Sequence, residues 1–396
     1  MLKKIIFLLT RDVSVTIINF LIIVILARYL TLTELALWFA LQTVFLILDA
    51  IFRFKSEVPF VVSYSSNDSS ILKSSQIILI AISSLLVMLI YVLLRDLILV
   101  NLSLLLDYKI RYELDFIITS FILSISGSSY LYYLTALKQY NFYNILLLAQ
   151  SFTNLITILV SIQLLNNLIY APILGQLFSW SVIFFVILYN FEFPKIYFKK
   201  NEFFKLLKSG IRFYVNSFLT TIQQQIGRFY CIFFLPATDL AFFGQIQALV
   251  SLLVKVPAAM NTIILPEFSN GNQSNKIKSI IIYFVLAQIF ITLILMLISQ
   301  DLIYFLFGEK FLPIIEYFIL LLPFVGFYCV AVVLIGFQNS NNDFHSMNKI
   351  LVSSFIIQII YLAFSNLTFY NLILSIALFN VAYFILTSIY SREFLR

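Results

Sequence analysis

Twelve apolar stretches, centred on residues 13–30, 35–52, 76–94, 114–134, 144–165, 169–189, 213–235, 240–262, 280–299, 314–336, 350–365 and 371–390, constrain this chain more than any other feature. Most have the roughly 17–25 residues that an α-helix needs to cross about 30 Å of hydrocarbon. Inside a bilayer every backbone N–H and C=O must be satisfied internally, so such a run becomes a helix or a strand of a closed barrel. Barrel strands alternate in polarity over about ten residues, whereas these runs are continuously apolar. The expected fold is an all-α integral membrane protein with twelve transmembrane helices. Composition agrees: with 62% hydrophobic and 11% charged residues, the chain cannot clothe a soluble surface.

The basic residues orient the spans. With the N-terminus placed in the cytoplasm, the inner segments carry 18 Lys and Arg residues and the outer segments five, Arg28, Arg95, Lys109, Arg111 and Lys310. That bias places both termini on the cytoplasmic side. Lys3 and Lys4 before IIFLL resemble the start of a signal peptide, but Arg11 and Asp12 interrupt the run and no small-residue cleavage site follows. The segment is expected to be a short interfacial helix leading into the first span. The stretch KIYFKKNEFFKLLKSGIR (195–212) reads as an amphipathic linker on the anionic inner leaflet, between six-helix bundles at 1–192 and 213–396. The net charge of +7 is thus a topology signal, and nothing here suggests nucleic acid.

The two halves repeat. TELALWFALQ at 33–42 returns as TDLAFFGQIQ at 238–247, an offset of 205 that also pairs Asp96-Leu97-Ile98 with Asp301-Leu302-Ile303 and Lys73 with Lys278. The first pair reads as an outer turn in which the Thr caps a helix and the neighbouring acid favours the positive end of its dipole. Six spans per unit, an even number, keep both halves in one orientation. This is a parallel repeat of the kind found in secondary transporters, with a central cleft expected between the halves.

Polar residues inside the spans mark what lines that cleft. At 100° per residue, Ser217, Thr221, Gln224, Arg228 and Cys231 share one face of the seventh span. Gln247, Ser251, Lys255 and Thr262 form a stripe on the eighth, and Gln42, Asp49 and Arg53 one on the second. An ionised side chain facing lipid costs about 2.5–3.5 kcal/mol even on the lenient insertion scale, so these stripes should face water. Arg228 lies eight residues before Pro236, too deep to snorkel comfortably; Lys255, nearer the inner end, is better placed to do so. Asp49 and Arg53 are spaced for an intrahelical pair, and Asp49 is also the acid available for ion coupling. A cavity richer in cations than in acids suits an anionic, phosphate-bearing amphiphile.

Other chemistries find no support. His345 is the only histidine and falls in an inner segment, and Cys231 and Cys329 lie in apolar runs as small hydrophobes, so neither a metal site nor a disulfide framework is expected. GxxxxGK[ST] and GxGxxG are absent, so no nucleotide or other cofactor is expected. The outer segments are short, the largest around 95–113, which counts against a membrane glycan polymerase with an external loop for acceptor and donor. The chain reads as a transporter.

At ILARYLTLTELALWFALQTVFLIL (25–48), TDLAFFGQIQALVSLLVKVPAAMNTIILPEFS (238–269) and LIYFLFGEKFLP (302–313) the chain resembles the Wzx-type flippases of the multidrug/oligosaccharidyl-lipid/polysaccharide exporter superfamily. Where that family commonly has Gly in the first outer turn and early in the second span, this chain has Thr31 and Ala36. The resemblance implies two six-helix bundles forming a MATE-like, alternately open cleft lined by spans one, two, seven and eight. It also implies a function: moving undecaprenyl-pyrophosphate-linked O-antigen or related repeat units across the bacterial inner membrane. Partners would be the lipid-linked oligosaccharide, membrane lipid, a glycan polymerase and a chain-length regulator, within lipopolysaccharide or polysaccharide assembly. Arg228 and Lys255 would attract pyrophosphate or acidic sugars and Gln224 and Gln247 would bond sugar hydroxyls, with Arg53, Ser217 and Thr221 also lining the cavity. Two other readings stay open: a cation-coupled exporter of drugs or metabolites from the same superfamily, and a membrane glycan polymerase.

Overall fold

The computed structural model describes residues 2–53, 60–61, 69–106, 110, 112–190, 199–268, 274–340 and 344–395. Among them the chain forms twelve long α-helices: α1 (Leu2–Tyr29), α2 (Leu32–Phe52), α3 (Ser69–Leu106), α4 (Glu113–Ala136), α5 (Tyr140–Leu164) and α6 (Tyr170–Asn190), then α7 (Lys200–Phe234), α8 (Ala237–Phe268), α9 (Ser274–Phe307), α10 (Ile315–Ser340), α11 (Phe344–Phe364) and α12 (Phe369–Leu395). A 3-10 helix, Glu309–Ile314, joins α9 to α10. Ten segments within these helices are long and apolar enough to cross a membrane. The other two helices are α1, apolar over Val13–Tyr29, and α7, where glutamines and Arg228 interrupt the run.

The repeat read from the sequence reappears as helix boundaries. α1 ends at Tyr29 and α7 at Phe234, α2 begins at Leu32 and α8 at Ala237, α3 begins at Ser69 and α9 at Ser274, each pair 205 residues apart. Packing follows suit: α4 lies against α2, α3, α5 and α6, and α10 lies against α8, α9, α11 and α12. The central helices bury 67% (α4) and 61% (α10) of their apolar windows, the peripheral α3 and α9 only 17% and 22%. The sequence repeat is thus also a repeat of helix boundaries and of packing order.

By packing, the chain divides into two compact units, Thr10–Ile22 with Tyr29–Ile232, and Met1–Leu9 with Ile23–Arg28 and Phe233–Arg396. In the first, Phe121 of α4 meets Phe45 of α2 edge-on at 5.3 Å. Gly175 of α6 lets α5 approach so closely that a Cβ there would sit 2.4 Å from Asn154 Oδ1. In the second, Phe307, Phe311 and Phe242 interlock around the 3-10 turn, and Tyr328, Phe379 and Tyr383 stack between α10 and α12. Arg28 donates to the carbonyls of Phe305 and Leu306, satisfying the last turn of α9, and Gly308 then reverses the chain at φ 91°, ψ 178°, a region open only to glycine.

Three local expectations need correction. The cap of α2 is Thr31 rather than Thr33: Thr31 Oγ1 accepts from Glu34 N at 3.2 Å while Glu34 Oε2 accepts from Thr31 N at 2.9 Å, a capping box. The turn equivalent to it uses Pro236, which has no hydroxyl to cap with, so only the acid in the first turn is shared. The N-terminal segment is not a separate interfacial helix, because α1 runs unbroken from Leu2 to Tyr29. His345 stands in the first turn of α11; its side chain, like those of Arg11, Asp12 and Thr262, lies outside the described residues.

Candidate functional site

α7 begins with the basic stretch from Lys200 and continues as one 35-residue helix into the span that holds QQQIGR. Two contacts fix its course. Tyr214 OH donates to Ile51 O at 3.2 Å, and the Arg228 guanidinium lies over the Phe39 ring at 5.1 Å. Rising numbers on α7 thus meet falling numbers on α2, and the two helices run in opposite directions along a shared face within the first unit. Fourteen residues of helix between those contacts correspond to about 21 Å.

Arg228 occupies one end of that face and is only 8% exposed. Taking a guanidinium out of water costs several kcal/mol, and a desolvated cation–π contact returns about 2. A cation held at this depth is a functional-site signal, because apolar residues would pack there at no such cost. Gln225, one turn earlier, is 4% exposed, and its Oε1 has no hydrogen-bond partner among the described residues. At the other end of the face, Arg53 Nη1 and Asp49 Oδ1 pair at 2.9 Å, as their i,i+4 spacing foretold, with both side chains largely buried.

The remaining residues of the sequence-derived set are distributed as follows. Ser217 and Thr221 are half-buried on α7, and Thr221 Oγ1 donates back to Ser217 O at 2.9 Å, which commits that proton to the helix. Gln224 is exposed. Gln247 is half-buried and Lys255 exposed on α8, in the second unit. Asp49, Arg53, Ser217, Thr221, Gln224 and Arg228 are thus brought onto two adjacent helices of one unit. Cys231 and Cys329 are buried thiols outside any disulfide, as small hydrophobes would be.

Gln225 and Gln245 are buried, and neither belongs to the set read from the sequence. Helical spacing put Gln224 nearest Arg228, yet the neighbours of α7 cover Gln225. A wheel supplies angles between side chains but not the direction from which other helices arrive. Gln245 on α8 is fully buried, and neither its Oε1 nor its Nε2 has a partner among the described residues. Its signal was a second amide two residues before Gln247, on the side of the helix away from the polar stripe.

In fold the chain is similar to solved structures of a lipid flippase and of multidrug transporters. It resembles a structure described as lipid II flippase MurJ in an inward closed conformation, with TM-score 0.73, 19% identity, and coverage of 98% of this chain and 87% of that one. It also resembles an inward-facing multidrug resistance MATE family transporter (TM-score 0.67, 13% identity, 96% and 94% covered) and the Vibrio cholerae MATE transporter VcmN in its bent form (0.59, 12%, 99% and 95%). At such identities the likeness is one of fold. No curated protein matches by sequence. Residues 1–272 match the family described as polysaccharide biosynthesis protein, and the chain belongs to that family.

Proposed function

We propose that the protein is a flippase that carries an undecaprenyl-pyrophosphate-linked oligosaccharide, an O-antigen or related repeat unit, from the inner to the outer leaflet of a bacterial cytoplasmic membrane. The observation that carries the reading is Arg228, a cation kept 8% exposed within a span of a polysaccharide biosynthesis family member. Its planar fork grips phosphate through paired hydrogen bonds, which Lys cannot reproduce. Gln225, Gln224, Ser217 and Thr221 would meet sugar hydroxyls, Arg53 and Lys255 would draw in acidic groups, and Gln247 would serve the second repeat. Alternating access between repeats 1–192 and 213–396, joined through 193–212, would move the headgroup, with both termini cytoplasmic. Product would pass to a glycan polymerase and its chain-length regulator.

Deleting the gene should strand the lipid-linked unit on the inner leaflet and abolish surface glycan. Restoration by the wild-type gene, and its failure with Arg228→Ala, would support the reading; an unchanged glycan profile on deletion would sink it. The likeness to MATE transporters supports one second reading, cation-coupled export of a drug or metabolite. Its coupling acid would be Asp49, which here is held by Arg53. That reading predicts altered drug susceptibility with surface glycan intact.

A further inference from the structure

The first unit contains a cavity of about 130 Å³ between α3, α4 and α6, walled by Phe60, Ile80, Tyr130, Tyr133 and Phe184, with Gln76 and Ser129 at its lining; Leu206, from the basic start of α7, packs behind Phe60 and Tyr133. The cavity lies near one end of the bundle. Gln76 is two residues past the start of the apolar window of α3 at Ser74, Tyr133 three before the end of α4, and the lining residue Leu188 two before the end of α6. At 1.5 Å per residue these levels fall within about 10 Å of the helix ends that the basic residues assign to the cytoplasm. Leu188 is exposed beside it, so the rim meets hydrocarbon.

Ser129 is the informative residue. The other four serines of α4 return a hydrogen bond to their own helix: Ser120 to Phe116 O, Ser124 to Phe121 O, Ser126 to Leu123 O and Ser128 to Ser124 O, at 2.6–2.9 Å. Ser129, 4% exposed, does not, and its Oγ has no partner among the described residues. A buried hydroxyl without a partner carries an uncompensated desolvation cost. A dry cavity of about 150 Å³ lined by aliphatic and aromatic side chains takes a guest of benzene size. This one therefore accommodates a few carbons of a chain whose polar atom can meet a hydroxyl donor.

The geometry points to a binding site for the ester-linked acyl chain of an inner-leaflet phospholipid, its ester carbonyl accepting from Ser129 and its first methylenes lying among Tyr130, Tyr133 and Phe184. An acyl ester carries a carbonyl at the head of its chain, whereas a polyprenyl chain carries no acceptor along its hydrocarbon. That difference favours the phospholipid as occupant. The site depends on the membrane orientation and not on the cargo, so it stands or falls separately from the flippase reading.

The protein has two tryptophans, and Trp180 packs on the cluster that includes the cavity residues Tyr130 and Ile187. In a Trp38→Phe background, reconstituted in phosphatidylglycerol brominated near the carboxyl end of its acyl chain, Trp180 fluorescence should be quenched. Ser129→Leu, which fills the cavity, should lose the excess quenching, and the ether-linked brominated analogue should give no more quenching than that variant does. Should Ser129→Leu fail to fold, native mass spectrometry of Ser129→Ala replaces it, with loss of the retained phospholipid expected. Equal quenching with and without Ser129→Leu, equal lipid retention by Ser129→Ala, or relief of quenching by added polyprenyl phosphate would overturn the assignment.

Discussion

α1 and α7 open the two repeats and end 205 residues apart, yet they differ where it matters. Gln224 of α7 corresponds to Asn19 of α1, and both are exposed. Gln225 and Arg228, both buried, correspond to Phe20 and Ile23. The repeat therefore supplies a scaffold in duplicate, and the buried polar pair proposed to meet the substrate enters at two positions where the second copy departs from the first. Elsewhere the departures run the other way. Arg95 and Asp115 form a bidentate pair at 3.1 Å joined by Tyr91, between α3 and α4, where the second repeat has Gln300 and Leu320. The first repeat is closed by charge at that end, and the second by the aromatic packing of its 3-10 turn.

The largest test of this contrast moves the cation. Losing the charge-assisted bonds proposed between Arg228 and the pyrophosphate, as Arg228→Ala, should cost about 2 kcal/mol, roughly thirty-fold in export of lipid-linked glycan, with Arg228→Lys intermediate. Adding Ile23→Arg to Arg228→Ala should not restore export; restoration would show the repeats to be interchangeable. Next comes Gly308, whose equivalent, Ser103, is helical. Gly308→Ala should destabilise by about 1–3 kcal/mol, read as a lower thermal midpoint in detergent, whereas Ser103→Ala should leave the midpoint nearly unchanged. Asp115→Asn should cost about 1 kcal/mol, modest because both partners are about one-third exposed, and the loss should shrink at high salt. Gln300→Ala should be silent by the same assay. The smallest contrast is at the caps: Thr31→Ala removes the capping box for about 1 kcal/mol, while Pro236→Ala removes no hydroxyl and should shift the midpoint less.

The fold was legible because membrane helices announce themselves one at a time. Each span must satisfy its own backbone, so length and apolarity locate it without reference to neighbours. The repeat was legible for the same reason, since TELALWFALQ and TDLAFFGQIQ sit at equivalent helix starts. The site was legible only in part. Arg228 stood out because a cation in a span is costly wherever it points, and the Asp49–Arg53 pair followed from spacing within one helix. Gln225 over Gln224, the idle hydroxyl of Ser129 among four bonded serines, and the fully buried Gln245 were not readable, because each depends on which helix arrives from the side.

The sequence by itself determined a multi-span helical membrane protein, built twice over, with an arginine set inside its seventh span. Tertiary structure alone decided that α7 runs against α2, that Phe39 lies under Arg228, and that α4, α3 and α6 enclose a cavity with an unanswered hydroxyl. The division has a physical cause. Backbone satisfaction and transfer into hydrocarbon are properties of a segment, whereas burial of a given side chain is a property of the neighbours that pack around it.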